Sequence, residues 1–198
     1  MSSNPVSVTL TADAASTATS DDYSFSAPFI IAAGQTVASG TVTIAENDIM
    51  EADKTLILSA SGTGLTVTPA TVTITDNNSP GVTISKHSMT VDIDSTETYT
   101  VKLNTQPTAP VTVTAMSGAE ATATVAQSAL TFTTSNWRTE QTFTVTGVAA
   151  GSTSVTHTAS STDSTYGSRV SVPGVRVKVY RPPQEQQQAG GNPPKLGF

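Results

Sequence analysis

Glu46, Asp48, Glu51 and Asp53 fall within eight residues, in the stretch Glu46-Asn47-Asp48-Ile49-Met50-Glu51-Ala52-Asp53, and are echoed downstream by Asp76-Asn77-Asn78. Charged residues make up only 12% of the chain, so this concentration is not that of an evenly solvated surface. Carboxylates and amide carbonyls are hard oxygen donors, of the kind that a hard cation takes. Unpaired anions held a few ångströms apart repel one another. A bound cation would therefore also stabilise the fold, through its affinity for the native state alone. The acidic stretch is the candidate place to hold one.

Other chemistry finds less support. No cysteine is present, which removes disulfides, thiolate metal sites and thiol nucleophiles. The two histidines, His87 and His157, lie in strand-like Ser/Thr runs, and no Gly-x-Ser-x-Gly elbow accompanies them. Gly62-Thr63-Gly64 lacks the further glycine of a phosphate loop and reads as a hairpin turn. A carboxylate-pair glycosidase needs a deep cleft, which short sandwiches with short loops rarely form. The expectation is a protein that is not an enzyme. Trp137, the single tryptophan, has two readings: a platform on which a sugar or partner stacks, or a side chain packed over the edge of a sheet. Asp92, Asp94 and Glu97, beside Lys86 and Lys102, read as a solvated face.

The elements that must position these residues are strands. Apolar residues alternate with Thr and Ser at Val6, Val8 and Leu10, at Val42 and Ile44, at Leu56 and Leu58, and at Val72 and Ile74. The pattern returns at Tyr99, Val101 and Leu103, at Val111 and Val113, at Phe143 and Val145, and at Val175, Val177 and Val179. A period of two places one face on a core and one in water, and Thr and Val suit strands better than helices. Gly, Pro, Asn, Asp and Ser clusters separate the runs, as between the strands of antiparallel sandwiches. The fold class is therefore read as all-β: two tandem immunoglobulin-like antiparallel sandwiches of Greek-key type, over residues 1–79 and 80–180. The turn-formers Asp76-Asn77-Asn78-Ser79-Pro80-Gly81 mark the boundary. Residues 181–198, rich in Pro, Gln and Gly, read as a flexible tail.

Charge divides the chain in the same place. Through residue 80 there are eight acids against the single base Lys54, whereas eight bases and seven acids follow. This argues for two units, and against a nucleic-acid partner for the first. The second also lacks a basic groove with interleaved aromatics. No apolar run approaches the ~20 residues of a membrane span, and Met1-Ser2-Ser3-Asn4-Pro5 has neither the basic nor the apolar region of an export signal.

The order Asp22-Tyr23, Gly34, Gly40-Thr41-Val42-Thr43-Ile44, Glu51-Ala52-Asp53-Lys54-Thr55-Leu56 and Val72-Thr73-Ile74-Thr75-Asp76 resembles the Calx-β family over roughly residues 5–78. That family is an immunoglobulin-like sandwich found in sodium–calcium exchangers and many bacterial surface proteins. The resemblance implies calcium ligands at one end of the first sandwich: Asp22, Glu46, Asn47, Asp48, Glu51, Asp53, Asp76, Asn77 and Asn78. Two departures accompany it. Asn77 and Asn78 stand where the family commonly has Asp, and Asn47 where a second acid is usual, so fewer charges would bind an ion more weakly. The family's first strand would precede Asn4, which leaves a sheet edge open to strand addition by the tail or a neighbouring chain. The second unit, with Leu103-Asn104-Thr105-Gln106-Pro107, Leu130 to Trp137 and Gln141 to Gly147, is similar to an immunoglobulin-like repeat of large bacterial extracellular proteins.

Together these readings imply a non-catalytic structural or adhesive module of a longer extracellular or cell-surface protein. A calcium ion bound weakly between Asp76-Asn77-Asn78 and the Glu46 to Asp53 loop, at the inter-domain end of the first sandwich, would pin the linker and stiffen the domain pair. The alternatives are a passive spacer or virion-surface decoration without an ion, and a carbohydrate-binding module built on Trp137.

Overall fold

In the computed structural model, residues 2–26, 28–167 and 170–182 are described, and those residues contain strands and no helix. The all-β expectation holds. Of the expected flexible tail, residues 183–198 lie outside the described residues. The chain forms two compact units, Met1–Pro80 with Asn104–Thr108, and Gly81–Leu103 with the residues from Ala109 on.

The first unit contains β1 (Val6–Ala12), β2 (Tyr23–Phe25), β3 (Phe29–Ile31), β4 (Val42–Ile44), β5 (Lys54–Ser61) and β6 (Ala70–Ile74). The order β3-β1-β5-β6 makes one antiparallel sheet, and β2 and β4 pair as a separate ribbon with Tyr23 opposite Ile44. After β5 the chain turns at Gly64, whose φ of +73° lies where a side chain is strained. Alternation is present, yet the face it marks as core is only partly covered. Among the described residues of this unit, Leu56 and Ala18 are the buried hydrophobic ones, while Ile44 and Val72, read as inward, remain over a third exposed. A two-stranded ribbon is too narrow to cover a four-stranded sheet. An apolar groove lined by Val8, Leu10, Phe29, Ile31 and Val42 stays open, with the Phe29 ring pressed against Gly40.

The second unit contains β7 (Val82–Ile84), β8 (Ser88–Asp92), β9 (Thr96–Leu103), β10 (Val111–Ser117), β11 (Ala123–Val125), β12 (Ala129–Phe132), β13 (Gln141–Gly147), β14 (Gly151–Ser160) and β15 (Val175–Tyr180). Two sheets, β12-β10-β14-β15-β8 and β11-β13-β9-β7, contribute to one contiguous core. β15 pairs in parallel with β8, and the other ladders of this unit are antiparallel. The alternation read from sequence matches burial here: in β15 Val175, Val177 and Val179 are buried and Arg176, Lys178 and Tyr180 exposed. Tyr99, Leu103, Phe132 and Phe143 fill the interior between the sheets, and Tyr166 and Trp137 join it from connections.

Gly147, at the end of β13, is required by close approach. Its N–H donates to the Ser95 carbonyl at 3.0 Å and its carbonyl accepts from Asp94 N at 2.9 Å, where Asp94 itself has φ of +63°. A Cβ there would stand 2.5 Å from the Asp92 carbonyl oxygen, which is backbone and cannot swing aside. Gly147→Ala is expected to destabilise the second unit by about 1–3 kcal/mol, the range for forced overpacking. An unchanged calorimetric transition for that unit would contradict this packing.

Candidate functional site

Asp22, Glu46, Glu51 and Asp76 meet where the ends of four strands, β2, β4, β5 and β6, converge. Asp22 precedes β2, and its carbonyl accepts from Ala45 N at 2.9 Å, which brings the end of β4 beside it. Lys54 opens β5, and the register Lys54 opposite Ile74 sets the end of β6, and so Asp76, alongside. These ends border a small cavity of about 60 Å³ whose lining includes Asp22, Glu46, Asn47, Glu51, Lys54, Asp76, Asn77 and Asn78.

At its centre is an ammonium group. Lys54 Nζ lies 2.7 Å from Asp22 Oδ1 and 3.0 Å from both Glu51 carboxylate oxygens, with side-chain exposures of 22% for Lys54 and 11% for Asp22. The remaining Asp22 oxygen, Oδ2, accepts from Thr19 N at 2.7 Å and Thr19 Oγ1 at 3.0 Å. The Lys54 hydrogen bond, seconded by Thr19, holds the Asp22 carboxyl below its ordinary pKa, and Asp22 and then Glu51 raise that of Lys54.

Asp76 and Asp53 bind backbone. Asp76 Oδ2 accepts from Glu51 N, Asp76 Oδ1 accepts from Asn78 N at 2.7 Å, and Asp53 Oδ1 accepts from Asp76 N at 3.2 Å. Asn47 accepts from Ile49 N through Oδ1 and donates through Nδ2 to Glu51 Oε2. Asn78 Nδ2 donates to the Asn47 carbonyl, and Asn77 Nδ2 donates to Glu46 Oε2 at 3.4 Å. Such side-chain-to-backbone bonds are what Asp and Asn do at turns.

Of the nine residues expected to be ligands, seven therefore line one cavity: Asp22, Glu46, Asn47, Glu51, Asp76, Asn77 and Asn78. Asp48 and Asp53 do not; Asp53 binds the Asp76 amide from outside it. Among the described residues, no group of three His, Cys, Asp or Glu side chains is disposed to hold a metal ion. Lys54, the one base of the first eighty residues, stands among the acids, and its role was not visible from composition. The signal lay in its place, directly after Asp53 at the start of a strand.

Elsewhere the structure separates alternatives. Trp137 is 8% exposed and belongs to the core of the second unit, with Arg138 Cζ 4.8 Å from its ring centroid and its carbonyl accepting from Leu103 N. That corrects the carbohydrate-platform reading, because a buried indole offers no face for stacking. Lys86 and Glu97 form an exposed ion pair at 3.0 Å, as a solvated face would. His157, by contrast, is buried within the core, on the inward face of β14 with Val155. The alternation of Val155, His157 and Ala159 marks that side in the sequence.

No protein-family model matches this chain, and no curated protein matches it. Among solved structures it is similar to the S-layer protein SbsC, at 18% identity and a TM-score of 0.41, over 88% of this chain and 20% of that one. Domains 4 and 5 of SbsC give 18% identity and a TM-score of 0.41, over 87% of this chain and 96% of theirs. Domains 4–9 give 21% identity and a TM-score of 0.42, over 81% of this chain and 22% of theirs. The chain thus spans about a fifth of the length of the first of these structures. Likeness at that level assigns it neither a family nor a role.

Proposed function

We propose that the chain is a non-catalytic structural module of a longer cell-surface protein, and that the polar end of its first unit is a clasp closed by Lys54. The observation that carries this reading is the state of the carboxylates at that end. Asp22, Glu51, Asp53 and Asp76 accept hydrogen bonds from backbone amides, a threonine or a single ammonium, an arrangement that ties loops together. No described helix is long and apolar enough to cross a membrane. The Calx-β resemblance belongs to the same reading, supported by its motif residues standing at one set of strand ends. So does an immunoglobulin-like second unit. There the first strand is split between the two sheets as β7 and β8, and β8 lies parallel to the last strand, β15. Labelling of intact source cells with antibody raised against the second unit tests the location. Labelling only after permeabilisation would overturn it.

Weak calcium binding at the same end is the second reading, favoured by Asp22, Glu46, Glu51 and Asp76 lining one cavity. It requires the ion to displace Lys54 from Asp22 and Glu51. The triplet Asp76-Asn77-Asn78 leads into Ser79-Pro80-Gly81, so such an ion would also restrain the start of the segment joining the units. Isothermal titration with calcium separates the readings: heat saturating at millimolar ion or below favours the second, and its absence the first.

A further inference from the structure

The buried imidazole of His157 is joined on both sides. Nδ1 lies 2.8 Å from the Pro173 carbonyl oxygen, which only accepts, so Nδ1 carries the proton. Nε2 then presents a lone pair, which accepts a hydrogen bond from the Tyr99 hydroxyl at 2.7 Å. The chain from Tyr99 through His157 to Pro173 has one sense, and it requires a neutral ring. Around it, β9 contributes Tyr99, its ring edge-on at 5.5 Å between centroids, and β13 contributes Phe143 at 5.7 Å. β10 places Ala115 opposite in register. Among these described neighbours Tyr99 is the only titratable group, and none carries a charge that would compensate an imidazolium.

We propose that His157 is an acid-sensitive latch, which when neutral ties Pro173, and with it the entry of β15, to Tyr99 in the core, and when protonated keeps Pro173 but loses its hold on Tyr99. Protonation puts a hydrogen on Nε2 where a lone pair had been. Tyr99 Oη can accept it only by turning its own hydrogen into apolar surroundings, and the cation is itself desolvated. β15 starts two residues after Pro173 and lies between β14 and β8, so losing the Tyr99 end of the chain removes the anchor on β9 from the entry of a strand that holds two ladders. Burial lowers the proton affinity of His157 against the smaller opposing effect of the Pro173 carbonyl. The sign follows: the unfolded chain takes up the proton first, near the ordinary imidazole value of 6.5. Stability is full above that pH and falls as pH drops below it.

The test is thermal unfolding of the second unit in the full chain at about pH 7.5 and about pH 5.5, in wild type, His157→Gln and, as an exposed control, His87→Gln. Wild type and His87→Gln are expected to lose about 5 °C more on acidification than His157→Gln. Equal losses in all three would overturn the latch. Because glutamine could disturb the core, the wild-type His157 ring C–H resonances provide a second readout. A titration midpoint below 6.5 in the folded protein supports the latch, and one at or above it refutes it.

Discussion

Leu56→Ala is expected to unfold the first unit while leaving the second intact. Leu56 is fully buried on β5, and Ala18 is the other buried hydrophobic residue among the described residues of that unit. Cutting a buried leucine to alanine costs about 2–5 kcal/mol, from lost transfer energy and the cavity left behind. A small domain has only about 5–15 kcal/mol in all, and one with so thin a core stands at the low end. The second unit spreads its interior over Tyr99, Leu103, Phe132, Phe143 and a series of valines, a core of its own. Differential scanning calorimetry should therefore show an early transition lost or shifted far down and a later one unmoved. A single transition displaced as a whole would mean that the units do not melt separately.

Lys54→Met is expected to cost the first unit about 1–3 kcal/mol, less than the full penalty of breaking a buried ion pair because both partners retain some exposure. The substitution leaves the buried Asp22 carboxylate to Thr19 and deprives Glu51 of its ammonium. Lys54→Arg should recover part of the loss. A pH signature accompanies it. Asp22 is held below its ordinary value of 3.8, chiefly by the Lys54 hydrogen bond, so its contribution is present above that pH and is lost as pH falls through the depressed folded-state value. In Lys54→Met the acid-induced loss of stability should be shallower. Acid unfolding curves of equal steepness would show that Lys54 does not set the ionisation of Asp22.

How much of this could be read from residues alone differs between the units. In the second, Thr and Val alternate over runs long enough that two wide sheets cover each other, and strand pattern and burial coincide from Tyr99 through Val179. In the first, Val72 and Ile44 alternate as well as Val113 does, yet they stay exposed. Periodicity reports which side a residue faces, and only the width of the opposing layer decides whether that side is covered. The acidic end was legible as a cluster because Asp22, Glu46, Glu51 and Asp76 lie at turns where strand ends meet. What closes it was not, because a lysine at the first position of a strand ordinarily points into solvent. The partnership of His157 was not legible for a related reason. Its neighbours are Thr and Ser, and its partner Tyr99 is distant in sequence and joined to it only by the packing of the two sheets.

The most direct measurement is the melting temperature of the first unit in excess chelator and in millimolar calcium. If Lys54 is the cation that closes the acidic end, the two temperatures coincide in the wild-type protein. An ion present at about a hundred times its dissociation constant would add about 2.7 kcal/mol, so a rise of several degrees with calcium would contradict the lysine clasp and make the end a metal site.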